Sequence, residues 1–249
     1  MKKSSLWIVL ALVTLVIVFS PDVAWAAPGG KIVSAMFKST WGKVLLAVLT
    51  IILLPLILWV MIKEHFAEKR VLKELKRLGQ IDRAFDWMTV RDRVTDCYHR
   101  VNAAWSATDM SEASEWMTSW YWQNQQLAFL NRWEREGLVN HCTIKGISKI
   151  RPLFLQFDNE GDSYGEGSRL VVSVTANMED YLAEKDTGKI VEGAKGYSDT
   201  EHVWTFLLQK GKWVVGNIEE GAVSLTYAGL RPEVPQTLPA KGAAAAQTS

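Results

Sequence analysis

The chain has 249 residues, a mean hydropathy of +0.00 and a formal net charge of +1, averages that conceal two very apolar stretches attached to an ordinary globular composition. Charge is unevenly spread: Lys63 to Arg77 holds six Lys/Arg against three Glu, whereas Asp82 to Leu230 holds 15 Lys/Arg against 22 Asp/Glu. An acidic domain lacks the positive footprint that nucleic acid demands, and two cysteines (Cys97 and Cys142) without a CxxC pair or a His cluster at metal spacing rule out a disulfide scaffold and imply no metal or cofactor.

Residues 1–26 carry the three parts of a secretory signal peptide: Lys2 and Lys3, the apolar run Leu6 to Phe19, and the small-x-small site Ala24-Trp25-Ala26. The expectation is a cleaved signal; the competing reading is an uncleaved first membrane helix. Residues 44–62, Val44 to Ile62, follow without a single charge. At 1.5 Å rise each, these 19 residues span about 28 Å, close to the hydrocarbon thickness, so they read as a transmembrane helix. Trp41 and Trp59 stand at its ends as interfacial aromatics do, and Pro55 would kink it. Six cations follow the segment (Lys63, Lys69, Arg70, Lys73, Lys76 and Arg77), against Lys31, Lys38 and Lys43 before it. That bias puts the C-terminal side in the cytoplasm of a bacterial inner membrane, with the basic collar on anionic headgroups.

Residues 63–87 read as a basic juxtamembrane helix, with Phe66, Val71, Leu75, Leu78, Ile81 and Phe85 on one stripe that Gly79 interrupts. It either lies along the membrane or packs on the domain as a stalk. The globular domain is expected over residues 88–230. Arg91 to Ala107 is amphipathic, Ser111 can cap a short helix, and Trp120 to Glu136 forms a third that stops at Gly137 and bears Tyr121, Leu127, Leu130 and Trp133. The period then becomes two. Leu170 to Glu179 and Glu201 to Leu208 alternate as strands, and Lys210-Gly211-Lys212 turns tightly into Trp213-Val214-Val215. One or two strands lie between His141 and Phe157, broken at Pro152, and Asp158 to Ser168 is a loop. Residues 231–249, with three prolines and four consecutive alanines, are expected to be a disordered tail. Helices first and antiparallel strands after is an α+β order, with helices packed on one face of a curved antiparallel sheet.

Two runs resemble a known family. Ala104-Trp105-Ser106 with Asp109 is similar to the close of the first helix in Tim-44-like domains. Asp180-Tyr181, then Asp186-Thr187-Gly188-Lys189-Ile190-Val191-Glu192-Gly193, then Glu201-x-x-Trp204-Thr205-Phe206, Trp213 and Ile218, resemble that family's sheet in order and spacing. The resemblance implies a cone-shaped, nuclear-transport-factor-like fold with an apolar cavity. It also implies a role at the inner face of a membrane, contacting anionic lipid and tethering a chaperone to an import channel. The chain departs from the mitochondrial members in carrying its own signal and membrane helix, and it lacks their long N-terminal partner-recruiting segment.

Two candidate sites follow. Trp105, Trp116, Trp120, Trp122, Trp133 and Trp204 are numerous enough to line a pocket or a partner surface as well as to fill the core, and three tryptophans within seven residues cannot all face one side of a helix. Asp180 shares a strand face with Val172 and Val174, and His202 shares one with Trp204, so a carboxylate and an imidazole can meet near one cavity. The reading that results is a membrane-anchored, non-enzymatic adaptor holding a polypeptide or lipid. The alternatives are an enzyme using Asp180 and His202 as acid and base, and a structural subunit of a membrane assembly.

Overall fold

A computed structural model describes residues 40–161 and 163–241; the signal peptide expected over residues 1–26 lies outside them. The chain divides into two compact units after Ile62.

In the first unit the described residues belong to helix α1 (Thr40–Gly79), which carries Pro55. Its large apolar side chains from Val44 to Ile62 that are exposed are so by 38% to 65%. By length and composition this is the one helix among the described residues able to cross a membrane, with mean hydropathy 2.1 in its most apolar window. Apolar groups left open on every side of a helix are costly in water and cheap in hydrocarbon.

In the second unit the remainder of α1 behaves differently. Ala67, Val71, Leu75 and Leu78 are fully buried, spaced at three and four so that they form one stripe. This stripe packs into the core of the domain rather than lying against a membrane. The helix ends at Gly79, eight residues before the expected boundary at residue 87. Asp86 backbone passes so close there that a Cβ would sit 3.3 Å from its Cα and N. Asp82 then caps a short 3-10 turn (Arg83–Phe85), its carboxylate accepting from Ala84 N at 2.8 Å.

Helix α2 (Trp87–Ala107) starts at Asp86, which accepts from Thr89 N at 3.0 Å, and stops at Thr108 in the left-handed region (φ 58°). That turn leaves Asp109 extended, and Asp109, not Ser111, caps the 3-10 segment Met110–Trp116. The third predicted helix forms in three pieces, α3 (Ser119–Gln125), a π turn (Gln126–Leu130) and α4 (Asn131–Arg135), before Gly137 at φ +67° ends it.

Four antiparallel strands follow in the order β1-β2-β3-β4: β1 (Leu138–Gln156), β2 (Arg169–Glu184), β3 (Ile190–Gln209) and β4 (Lys212–Glu220). β1 is a single strand and is not broken at Pro152; it is an edge strand, where a missing N–H costs no ladder bond, and Pro152 sits at one of three bulges in its pairing. Lys210 (φ 50°) and Gly211 (φ 73°) both take positive φ, the I′ geometry that joins β3 to β4. β4 reaches only to His202, so Ile190 to Glu201 of β3 pair with β2 alone. In that stretch Glu179 of β2 faces three residues, Lys195 to Tyr197, because Met178 pairs Ser198 while Asp180 pairs Ala194.

The main core lies between one sheet face (Val172, Val174, Ala176, Met178, Trp204, Phe206) and the helices. The other face holds a smaller cluster of Phe154, Val171 and Val203 under Val223 and Tyr227, roofed by helix α5 (Ser224–Gly229). Beside that cluster Arg151 is buried with Glu64 of α1 at 2.6 Å and Glu201 of β3 at 3.4 Å. Ser224 donates to Glu64 at 2.9 Å, and Ser173 donates to Glu201.

Residues 231–241, expected to be disordered, are packed instead. Glu233 bridges the outer edge of β1 in parallel with Gln156, and Val234 and Leu238 pack against the core. The prolines that deny this segment regular structure also hold it extended, which suits an edge.

Candidate binding surface

The predicted polar pair sits at one end of the sheet. Asp180 of β2 lies opposite Cys142 of β1 and Ala194 of β3. With its amide oriented to place nitrogen against acceptors, Asn140 donates to Asp180 Oδ1 at 3.2 Å and to Tyr181 O at 3.1 Å. Burial raises the Asp180 carboxyl above the ordinary range, opposed by the Asn140 bond and the His202 charge and aided by Glu192. Asp180 keeps contact with solvent, which limits that effect. His202 lies between Val174 of β2 and Glu220 of β4. Burial lowers its imidazole, opposed by Glu220, Asp180 and Glu201. The two groups therefore sense each other, but Asp180 accepts its side-chain hydrogen bond from Asn140 and not from His202.

The surrounding groups are quiet. Tyr98 donates to Met178 Sδ at 3.2 Å and is pushed up by burial. Cys142, at 3.3 Å from Asn102 Oδ1, is pushed up to about 12 by burial and by Asp180. Cys97 is likewise pushed up to about 12, chiefly by burial. A thiol held protonated is a poor nucleophile and a poor metal ligand. Among the described residues there is also no cluster of three metal-ligating side chains.

The tryptophans do not form one wall. Trp204 is a core residue, 2% exposed, with its ring 5.0 Å from Tyr98 and stacked on Phe206 at 6.3 Å. Its indole N–H is buried without a hydrogen-bond partner. Trp116 is half-buried under the Arg93 guanidinium, 3.9 Å from its ring centroid, and Trp122 is half-buried against the core. Trp105 and Trp133 meet at 5.4 Å, with Phe129 at 6.0 Å from each.

Trp120, at 70% exposed, faces water, as does Leu127 at 67%. The π turn slows the rotation of successive side chains about the axis, so Leu130 turns in and Leu127 turns out. Trp120 and Leu127 are thus exposed apolar side chains, while Phe129, 37% exposed, turns against Trp105 and Trp133.

The six cations divide too. Arg70 donates to Ala228 O (2.9 Å) and Leu230 O (3.3 Å), and Arg77 to Pro235 O (3.2 Å) and Gln236 O (2.8 Å). These two are engaged in holding the C-terminal segment, and Lys63 is half-buried. Lys69, Lys73 and Lys76 are exposed, at four- and three-residue spacing on the side of α1 away from its buried stripe, with Phe66 (56% exposed) a turn earlier.

A family model of the Tim44-like domain matches residues 71–218, more than half of the chain, and the chain belongs to that family. No curated protein matches it. Among solved structures, the intermembrane space region of the chloroplast protein ARC6 is similar at 13% identity and a TM-score of 0.40, over 54% of this chain and 95% of that one.

Proposed function

We propose that the protein is a membrane-anchored adaptor whose Tim44-like domain holds a polypeptide partner at the cytoplasmic face of a bacterial inner membrane, with anionic lipid as a second contact. The observation that bears most weight is the exposure of Trp120 and Leu127, at 70% and 67% the most open large apolar side chains among the described residues beyond Ile62. Exposed aromatic and leucine side chains grouped on one element suit partner recognition. The Lys69, Lys73 and Lys76 stripe with Phe66 supports the lipid contact. The cation excess after residue 62 supports the orientation. A binding role rather than catalysis is favoured by the protonated thiols and by an Asp180 carboxylate already engaged by Asn140.

The test is site-specific photo-crosslinking in cells, with a photoreactive residue at position 120 and another at position 96, an exposed site on α2. The expected result is discrete polypeptide adducts from position 120 and none from position 96. Equal patterns from both, or none from 120 at normal protein levels, would remove the adaptor reading.

A further inference from the structure

The segment after α5 is held differently from the rest of the fold. From Leu230 to Lys241 it forms no helix and no strand of the sheet, and it lies beyond residue 218, where the family match ends. Its contacts read backbone rather than sequence. Glu233 N donates to Leu155 O at 2.8 Å, and Phe157 N donates to Glu233 O at 2.9 Å, which uses the free edge of β1. Arg77 grips two successive carbonyls, of Pro235 and Gln236. Val234 and Leu238, four apart, are its apolar anchors. Lys241 closes the far end on Asp82 at 2.8 Å.

A strand edge, a guanidinium fork for carbonyls, two apolar sockets and one terminal charge are the means by which domains hold extended peptides from outside. Proline at positions 232, 235 and 239 keeps such a peptide extended before it binds and so lowers the entropic cost of docking.

We infer that the groove between Arg77, Asp82 and the Leu155–Phe157 edge of β1 is an extended-peptide site. The chain's own residues 231–241 occupy it in cis, and a proline-spaced segment of a partner polypeptide competes for it. The inference rests on the adaptor reading for its biological sense, but its site is separate from the Trp120 face. A tethered segment acts at an effective concentration in the millimolar range, so the intact chain reports a foreign peptide only weakly.

The experiment uses the full chain in detergent and a fluorescent peptide of sequence Arg-Pro-Glu-Val-Pro-Gln-Thr-Leu-Pro-Ala-Lys, read by anisotropy. Val234→Ser with Leu238→Ser weakens the cis occupant and leaves the groove intact. That variant should bind the peptide at least about tenfold more tightly than the unaltered chain, since the tethered competitor is gone. Adding Arg77→Ala should abolish the gain, and a peptide with its prolines changed to glycine should bind more weakly. Equal affinity of the two chains, or a gain that survives Arg77→Ala, overturns the inference. If the double variant loses its cooperative melt, saturating peptide must restore it, and failure to do so shows that the segment is fixed structure rather than an occupant. A negative outcome here leaves the cross-linking at position 120 unaffected, so the two readings fail separately.

Discussion

Arg151 is the residue on which the second face of the sheet depends most. It neutralises Glu64, 5% exposed, and reaches Glu201. Arg151→Ala would leave a buried carboxylate without its partner, a change that costs about 3–5 kcal/mol. For a unit of this size that lowers the melting temperature by roughly 10 °C. Glu64→Gln in the same background should return part of the loss, and thermal melts of the three chains decide it.

The polar pair yields a pH prediction of two signs. His202 is lowered on folding, so the unfolded chain binds the extra proton first. Stability from this group is complete above the ordinary histidine value of 6.5 and falls as pH drops below it. Asp180 is raised, so its ionised form is disfavoured in the fold, and stability declines as pH rises from the ordinary 3.8 through the folded value. Asp180→Asn should therefore raise the melting temperature at pH 7 and lose that advantage near pH 3. His202→Gln should flatten the fall in stability between pH 6.5 and pH 5. A parallel pH profile for wild type and His202→Gln would contradict the assignment.

At the level of elements, the sequence was most readable where a single period persists. β2 alternates over residues 174–179 and β3 over residues 204–209, where one face meets the helices, and Lys210-Gly211 supplies the positive φ values its turn demands. Less was legible where register is set by distant contacts. The π turn at Gln126–Leu130 has no sequence signature, so no local pattern showed which way Leu127 would face, and it is exposed. Pro152 looked like a strand break and is an edge bulge. Arg70 and Arg77 looked like lipid contacts, yet their acceptors lie about 160 residues further along the chain, and no local pattern reports that. Of the six tryptophans expected at a pocket or partner surface, only Trp120 stands out in solvent, and the sequence could say merely that some of them must. The two-sided nature of α1 beyond residue 62 gives a direct comparison. Leu75→Ala, in the buried stripe, should destabilise by about 2–5 kcal/mol, whereas Phe66→Ala should leave the melt unchanged.

At the level of the whole molecule, membrane affinity should separate from stability. Reversing Lys69, Lys73 and Lys76 to glutamate removes three exposed cations without touching the buried stripe. At about 1 kcal/mol per cation near an anionic surface, binding of the residue 63–249 unit to acidic vesicles should fall by at least about a hundredfold, with an unaltered melt. Loss of the fold in the triple variant, or unchanged flotation with the vesicles, would contradict that division of labour. Protease applied to spheroplasts should leave the same unit uncut.

The long upper reach of β3 has a bearing on how these molecules share a crowded surface. A straight, one-sided ladder from Ile190 to Glu201 would be a template on which a neighbour's backbone could crystallise, and confinement to two dimensions would hasten that. The three residues crowded opposite Glu179, with Gly196 at φ 110° and its N–H turned back onto the Glu179 carboxylate, spoil the spacing that such a template needs. Excising two of the three would leave a regular ladder, and chains so shortened should clump on the membrane while the natural ones stay apart.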